Sequence, residues 1–171
     1  MYEFQSSYDS ETSHLVLYYA EQEDIDNFIF PEDVKTLYIA GDRINTIELP
    51  QGVEEVKFSS VGLKSIKVPD SLKRLYVENN LLKELELPNN IEIVYAKRNL
   101  LEKLCFRGGN PTCLSVLKLS DNDRIQELLF QPPPCFEVIN LKRCYGLRES
   151  KKIHPELLRV ALECDQEMWL L

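Results

Sequence analysis

Apolar positions in this chain recur every 19 residues. From Pro69 to Leu87 the segment reads PDSLKRLYVENNLLKELEL. With proline as position 1, apolar residues fall at positions 4, 7, 9, 14, 17 and 19: Leu72, Leu75, Val77, Leu82, Leu85 and Leu87. Segments opened by Pro31 and Pro50 place Val34, Leu37, Ile39, Ile44, Ile47 and Leu49, then Val53, Val56, Phe58, Leu63, Ile66 and Val68, in the same slots. The segment from Pro88 gives Ile91, Val94, Ala96, Leu101, Leu104 and Phe106. Without a proline the register extends upstream from Thr12 through Leu15, Tyr18, Ala20, Ile25, Phe28 and Phe30. Downstream, Pro111 opens a longer copy with Leu114, Leu117, Leu119, Ile125, Leu128 and Phe130. A partial copy from Pro133 supplies Phe136, Ile139, Leu141 and Leu147. A repeat this short is one turn of a coil, so residues 12–150 predict seven turns of a solenoid.

Positions 7 to 9 alternate apolar, polar, apolar and favour Tyr, Val, Phe and Ile, which is strand chemistry. Position 12 carries Asp42, Asn80, Asn99 and Asn122, side chains able to bond the backbone of a neighbouring turn. Glu23, Val61 and Cys144 interrupt that ladder. A strand and its bend use about 11 residues, leaving about 8 for the return, too few for two helical turns with their connections. The far side of the coil is therefore expected to be extended or polyproline II rather than α-helical, and Pro132-Pro133-Pro134 fits that reading.

The run LxxLxVxxNxLxxLxLP, from Leu72 to Pro88, resembles the leucine-rich repeat of the short bacterial type. That is the secreted-effector class that includes YopM, SlrP and IpaH proteins, and the resemblance covers about four-fifths of the chain. It implies an α/β, mostly β solenoid: a right-handed coil with a parallel concave sheet, an extended convex side and a C-terminal helical cap. It also implies a non-catalytic protein–protein interaction module, a secreted effector that inhibits or masks a partner protein, another effector included. Members of that class usually begin with a helical hairpin. Here residues 1–11, with Tyr2, Phe4 and Tyr8, alternate like a capping strand. Some members carry a ubiquitin ligase domain with a Cys-x-Asp site. Cys164 and Asp165 are adjacent, so that activity is not carried over.

A solenoid exposes core and strand edges at both ends and needs caps. Residues 151–171 read as a C-terminal helical cap. Pro155 suits a first helical turn, Glu156 follows, and Leu157, Leu158, Ala161, Leu162 and Trp169 form an apolar face. The rival reading is a protruding helix that binds a second partner.

Composition narrows the function. The 171 residues suit one domain, and 44% hydrophobic content suffices for a continuous core. A net charge of −8 argues against nucleic acid as the main partner. No apolar run approaches the ~20 residues of a membrane span. The start, MYEFQSSYDSE, lacks the basic and apolar regions of a Sec-type signal. The five cysteines show no CxxC spacing. Cys113 and Cys135 share position 3 of adjacent turns and so could approach disulfide distance. No cysteine-rich cap is present, so reduced thiols and a cytosolic environment are expected, including a host cytosol reached by a non-Sec route. His14 and His154 have no cysteine, serine or carboxylate partner at a diagnostic spacing, and no P-loop, GxSxG or HExxH occurs. No cofactor, metal or catalysis is expected. A scaffold joining two proteins is the alternative, and an enzyme with an unrecognised Cys/His site a remote one.

Residues at positions 6, 8, 10 and 11 should point away from the core. Position 8 reads Tyr19, Tyr38, Lys57, Tyr76, Tyr95, Lys118 and Asn140. Tyrosine offers apolar area, few rotors and a polar tip, which suits a binding surface, although strand propensity alone also favours it. Around this column stand Arg74, Glu78, Lys97, Arg98 and Lys142, completing the candidate partner-binding set. With Arg143 they make the late turns more basic than the early ones. The Arg107-Gly108-Gly109-Asn110 loop interrupts the period and is expected to be a tolerated insertion at a corner, a rim contact being the rival reading. The expected state is a monomer, or a heterodimer with the target.

Overall fold

The computed structural model describes residues 3–41, 43–59 and 62–163. The expectations placed on Tyr2, Asp42, Val61, Cys164, Asp165 and Trp169 lie outside the described residues. The chain winds into a mostly β solenoid of about six stacked turns joining seven parallel rungs. The rungs are β2 (His14–Ala20), β3 (Thr36–Gly41), β5 (Glu55–Ser59), β7 (Arg74–Tyr76), β9 (Ile93–Tyr95), β11 (Val116–Lys118) and β13 (Val138–Asn140). They form one sheet, which β1 (Gln5–Asp9) extends antiparallel beside β2 to eight strands.

The proline corners have a common geometry. The carbonyls of Pro31, Pro69, Pro88 and Pro133 accept the N–H three residues on, from Val34, Leu72, Ile91 and Phe136, at 3.0–3.4 Å. Proline donates nothing there and its fixed φ suits the bend. Position 4 then turns inward, followed by positions 7 and 9. The four apolar rows at positions 4, 7, 9 and 14 of the proline-opened turns, from Val34 to Ile125, are all buried. Ile66, Leu104 and Phe130, on the return, are partly buried against this core.

The return side is extended over most of its length. It pairs in short parallel ladders: β4 (Thr46–Glu48) with β6 (Ser65–Lys67), β8 (Glu84–Leu87) with β10 (Lys103–Phe106), and β12 (Glu127–Leu128) with β14 (Lys152–Ile153). The first return departs from expectation and carries a helix, α1 (Gln22–Asn27). The backbone N–H of Glu21 donates to Asp24 Oδ2 at 2.8 Å in a capping box. Gln22 Oε1 accepts the N–H groups of Asn45 and Thr46 at 2.7 and 3.0 Å, tying the helix to the next turn.

Three asparagines bind the turns together at position 12. Asn80, Asn99 and Asn122 are nearly or fully buried. Each Oδ1 accepts a backbone N–H of the preceding turn, from Leu63, Leu82 and Leu101 respectively, at 2.9–3.1 Å. Each Nδ2 donates to carbonyls at the bend, such as Val77 and Ala96. Cys144 occupies the same slot in the last turn, where its Sγ donates to the Leu119 carbonyl at 3.2 Å. Burial pushes the Cys144 thiol up to about 12, so it stays protonated. The residue before each of these four, namely Asn79, Arg98, Asp121 and Arg143, has φ between 52° and 61°. This left-handed step aims the next side chain inward, at about 1–2 kcal/mol for a residue with a Cβ.

The first rung is out of the expected register. Leu15 pairs with Leu37 and Leu17 with Ile39, so Leu17 is fully buried and Tyr18, expected in the core, is exposed. A bulge between Tyr18 and Ala20, with Tyr19 at φ 56°, returns Ala20 to the core opposite Gly41. Two leucines win the inward slots because Tyr18 would bury a hydroxyl in an apolar site.

The inserted loop is more than a tolerated bulge. Gly108 and Gly109 take φ of 76° and 106°, and Arg107 reaches back to the Asp70 carboxylate and, at 2.5 Å, to the Val68 carbonyl. After α2 (Tyr145–Ser150), α3 (Pro155–Glu163) packs near β13 and buries Leu157, Val160 and Ala161, while Leu158 and Leu162 are only half buried. Among the described residues no helix is long and apolar enough to cross a membrane.

Candidate partner-binding surface

The outer face of the eight-stranded sheet is built by the residues between the buried positions 7 and 9 and by their flanks. In-register pairing aligns Tyr38 with Lys57, Lys57 with Tyr76, Tyr76 with Tyr95, Tyr95 with Lys118 and Lys118 with Asn140. At ~4.8 Å per strand this column is ~24 Å long. Tyr19 is not in it. Val16 stands beside Tyr38, because the first rung is shifted. Tyr19 lies at the margin, 45% exposed, and the Tyr18 ring, not that of Tyr19, meets Tyr38 edge to face at 6.1 Å.

The column is internally ordered. The Tyr76 and Tyr95 rings meet edge to face with centroids 5.1 Å apart. The Lys118 ammonium sits over the Tyr95 ring at 4.4 Å, and that of Lys57 near the Tyr38 ring at 5.8 Å. Partial burial, followed by the Glu55 charge, holds the Tyr76 phenol above its ordinary range. The rings are half exposed, which leaves apolar area to offer while the contacts fix their rotamers.

Several of the charges expected on this face are spoken for. Arg74 pairs with Glu55 at 2.8 Å, Lys97 with Glu78 at 3.0 Å and Arg143 with Asp121 at 3.0 Å. These pairs link successive rungs and weaken the gradient expected from Lys97 and Arg143. Lys57, Arg98, Lys118 and Lys142 have no carboxylate partner among the described residues; the Arg98 guanidinium donates to the Asn79 amide oxygen at 3.4 Å. Glu78, Asn79, Lys97, Arg98, Ser120, Asp121 and Asn140 line a polar hollow of about 310 Å³ along one margin of the face.

Sequence reasoning named position 6 but did not single out its change of character. Thr36, Glu55 and Arg74 give way to Ile93, Val116 and Val138, in register on β9, β11 and β13 and half exposed. The signal was three consecutive β-branched residues in one column.

The two histidines are far apart in the fold. His14 opens β2, and His154 precedes α3, its Nδ1 accepting the Glu156 N–H at 3.2 Å. Cys113 and Cys135 are exposed free thiols. A larger hollow of about 600 Å³ lies on the return side between Glu102, Lys103, Arg124, Gln126, Glu127 and Lys152, where Arg124 pairs with Glu102 and Lys152 with Glu127.

Comparison with protein-family models, with curated proteins and with solved structures finds no match for this chain.

Proposed function

We propose that the chain is a leucine-rich-repeat solenoid whose sheet face, as its concave side, binds another protein, with residues 151–171 closing the C-terminal end. The observation that carries this is the half-exposed Tyr76–Tyr95 ring pair with Lys118 over Tyr95, in the middle of an in-register column. Rings held in one rotamer by their neighbours lose little entropy when a partner covers them, and tyrosine is a frequent anchor at interfaces. Such a module acts by occupying its partner's surface. That suits an inhibitor or masking protein, as the resemblance to bacterial effectors implies.

The test is affinity capture from candidate cytosols with the wild-type chain and with Tyr76→Ala plus Tyr95→Ala. A specific partner should be lost with the double variant, its affinity falling by roughly 30-fold or more. Circular dichroism should show both chains folded. Equal capture by the two chains rejects this face as the binding surface.

A further inference from the structure

We infer that the segment engaging this face is an acidic amphipathic helix, laid along the coil axis over β9, β11 and β13. The inference rests on the protein-binding reading and names the chemistry of the partner.

Three columns cross this half of the face side by side. At position 6 stand Ile93, Val116 and Val138, apolar and half exposed. At position 8 stand Tyr95, Lys118 and Asn140. Beyond them, at positions 10 and 11, Lys97 and Arg143 pair with Glu78 and Asp121, while Arg98 and Lys142 are exposed and without carboxylate partners among the described residues. The face is thus apolar on one margin and carries an excess of cations on the other, Lys97, Arg98, Lys142 and Arg143 against Glu78 and Asp121, in a chain whose net charge is −8. A partner that matches both margins must be apolar along one stripe and acidic along the next.

Dimensions select a helix. The three position-6 residues span two strand steps, ~10 Å, close to the ~10.5 Å between residues i and i+7 of an α-helix. Along each strand and the bend that follows it, four residues separate position 6 from position 10, at most ~13 Å. A helix with side chains is about 10–12 Å wide and reaches both margins, whereas a single extended strand reaches one. Apolar residues at i, i+4 and i+7 would then meet Ile93, Val116 and Val138. Carboxylates on the adjoining flank would meet Lys118, Lys142 and Arg98. A single-stranded nucleic acid suits the face less well. Its phosphates have no use for the apolar column, and the Tyr76 and Tyr95 rings are engaged edge to face instead of lying open as stacking platforms.

The test uses the full chain and two synthetic helical peptides of about 18 residues, long enough for several turns. Both carry leucine at i, i+4, i+7 and i+11; one has glutamate along the adjoining flank, the other lysine. Fluorescence anisotropy should show the glutamate peptide binding at least roughly tenfold tighter, with affinity that falls as salt rises. Lys118→Glu plus Lys142→Glu should invert the preference. Lys103→Glu plus Lys152→Glu, on the return side, should leave it unchanged. Binding of neither peptide, equal binding of both, a preference indifferent to Lys118→Glu plus Lys142→Glu, or tighter binding of a single-stranded oligonucleotide would overturn the inference. The two readings fail differently. A captured protein lost with the Tyr76→Ala, Tyr95→Ala variant but kept with Lys118→Glu plus Lys142→Glu overturns the acidic helix and leaves protein binding standing. Equal capture by wild type and the tyrosine variant removes the protein-binding reading itself.

Discussion

Asn99 Oδ1 accepts the backbone N–H of Leu82, one turn earlier in the coil, at 3.1 Å. The same amide donates to the carbonyls of Val77, Ala96 and Lys97 at 2.9–3.2 Å, so a single buried side chain satisfies backbone groups on two turns. Asn99→Ala would strand these groups away from water. Each unsatisfied group costs about 1–3 kcal/mol, so a loss of roughly 2–4 kcal/mol is expected after relaxation. Urea denaturation checks this as a lowered midpoint with an unchanged slope. A loss below about 1 kcal/mol would show that the ladder is not a principal brace.

Arg98 separates stability from binding. Its φ of 52° is a left-handed conformation that glycine adopts without a Cβ penalty. Its guanidinium also belongs to the cationic margin of the sheet face. Arg98→Gly should raise stability by about 0.5–1 kcal/mol in denaturant titrations while weakening the glutamate peptide several-fold in anisotropy.

Gly41 is required for a different reason, close approach between turns. A Cβ built there would lie 2.2 Å from the Ala20 carbonyl oxygen and 2.9 Å from the Ala20 nitrogen, both backbone atoms. Gly41→Ala must therefore separate the first two rungs at the bulge. We expect a loss of about 3 kcal/mol or more, seen as a lower thermal midpoint or a failure to fold, because no side chain can move aside.

Cys144 supplies a pH signature. Burial raises its thiol from 9.0 to about 12, so above pH 9 the unfolded chain releases a proton that the folded chain retains. Stability contributed by the protonated thiol is complete below about pH 9 and declines as pH rises, by about 1.4 kcal/mol per unit within that window. Cys144→Ser keeps a donor for the Leu119 carbonyl and should flatten the alkaline decline relative to wild type. Iodoacetamide should label exposed Cys113 and Cys135 in the native chain and spare Cys144 until denaturant is added.

The inserted loop gives a last measurement. Arg107 joins its own turn to Asp70 and Val68, two turns back, and its side chain is about one-third exposed. Arg107→Ala should lower stability by about 1 kcal/mol, more than a solvated surface pair would, because the buried Val68 carbonyl loses a charged donor. Proteolysis at the neighbouring glycines should accelerate with it.

The rungs themselves were legible from periodicity. Leu72, Leu75, Val77 and Leu82 recur with their counterparts because each turn must bury the same slots, and all four are fully buried. Asn80, Asn99 and Asn122 were legible too, since a tight buried bend needs an amide there. The first rung was not. Leu15 and Leu17, or Tyr18 and Ala20, could fill the same two inward slots, registers three residues apart, and only the energetic contest between a leucine pair and a tyrosine decides between them. Helix α1 was missed for a similar reason, because its capping by Asp24 and docking through Gln22 depend on the neighbouring turn being in place.

The sequence by itself determined that this chain coils, with what period, and, from the second rung on, which strand positions each coil buries, because a 19-residue period repeats the same apolar slots. Tertiary structure alone decided what the open face presents. It moved Tyr19 out of line with Tyr38 and engaged Lys97 and Arg143 with carboxylates one rung away, while Lys118 and Lys142 kept no such partner among the described residues. Burial is a property of each position and can be read along the chain. The balance of charge and ring contacts on a surface depends on which rung lies beside which, and that exists only once the coil has closed.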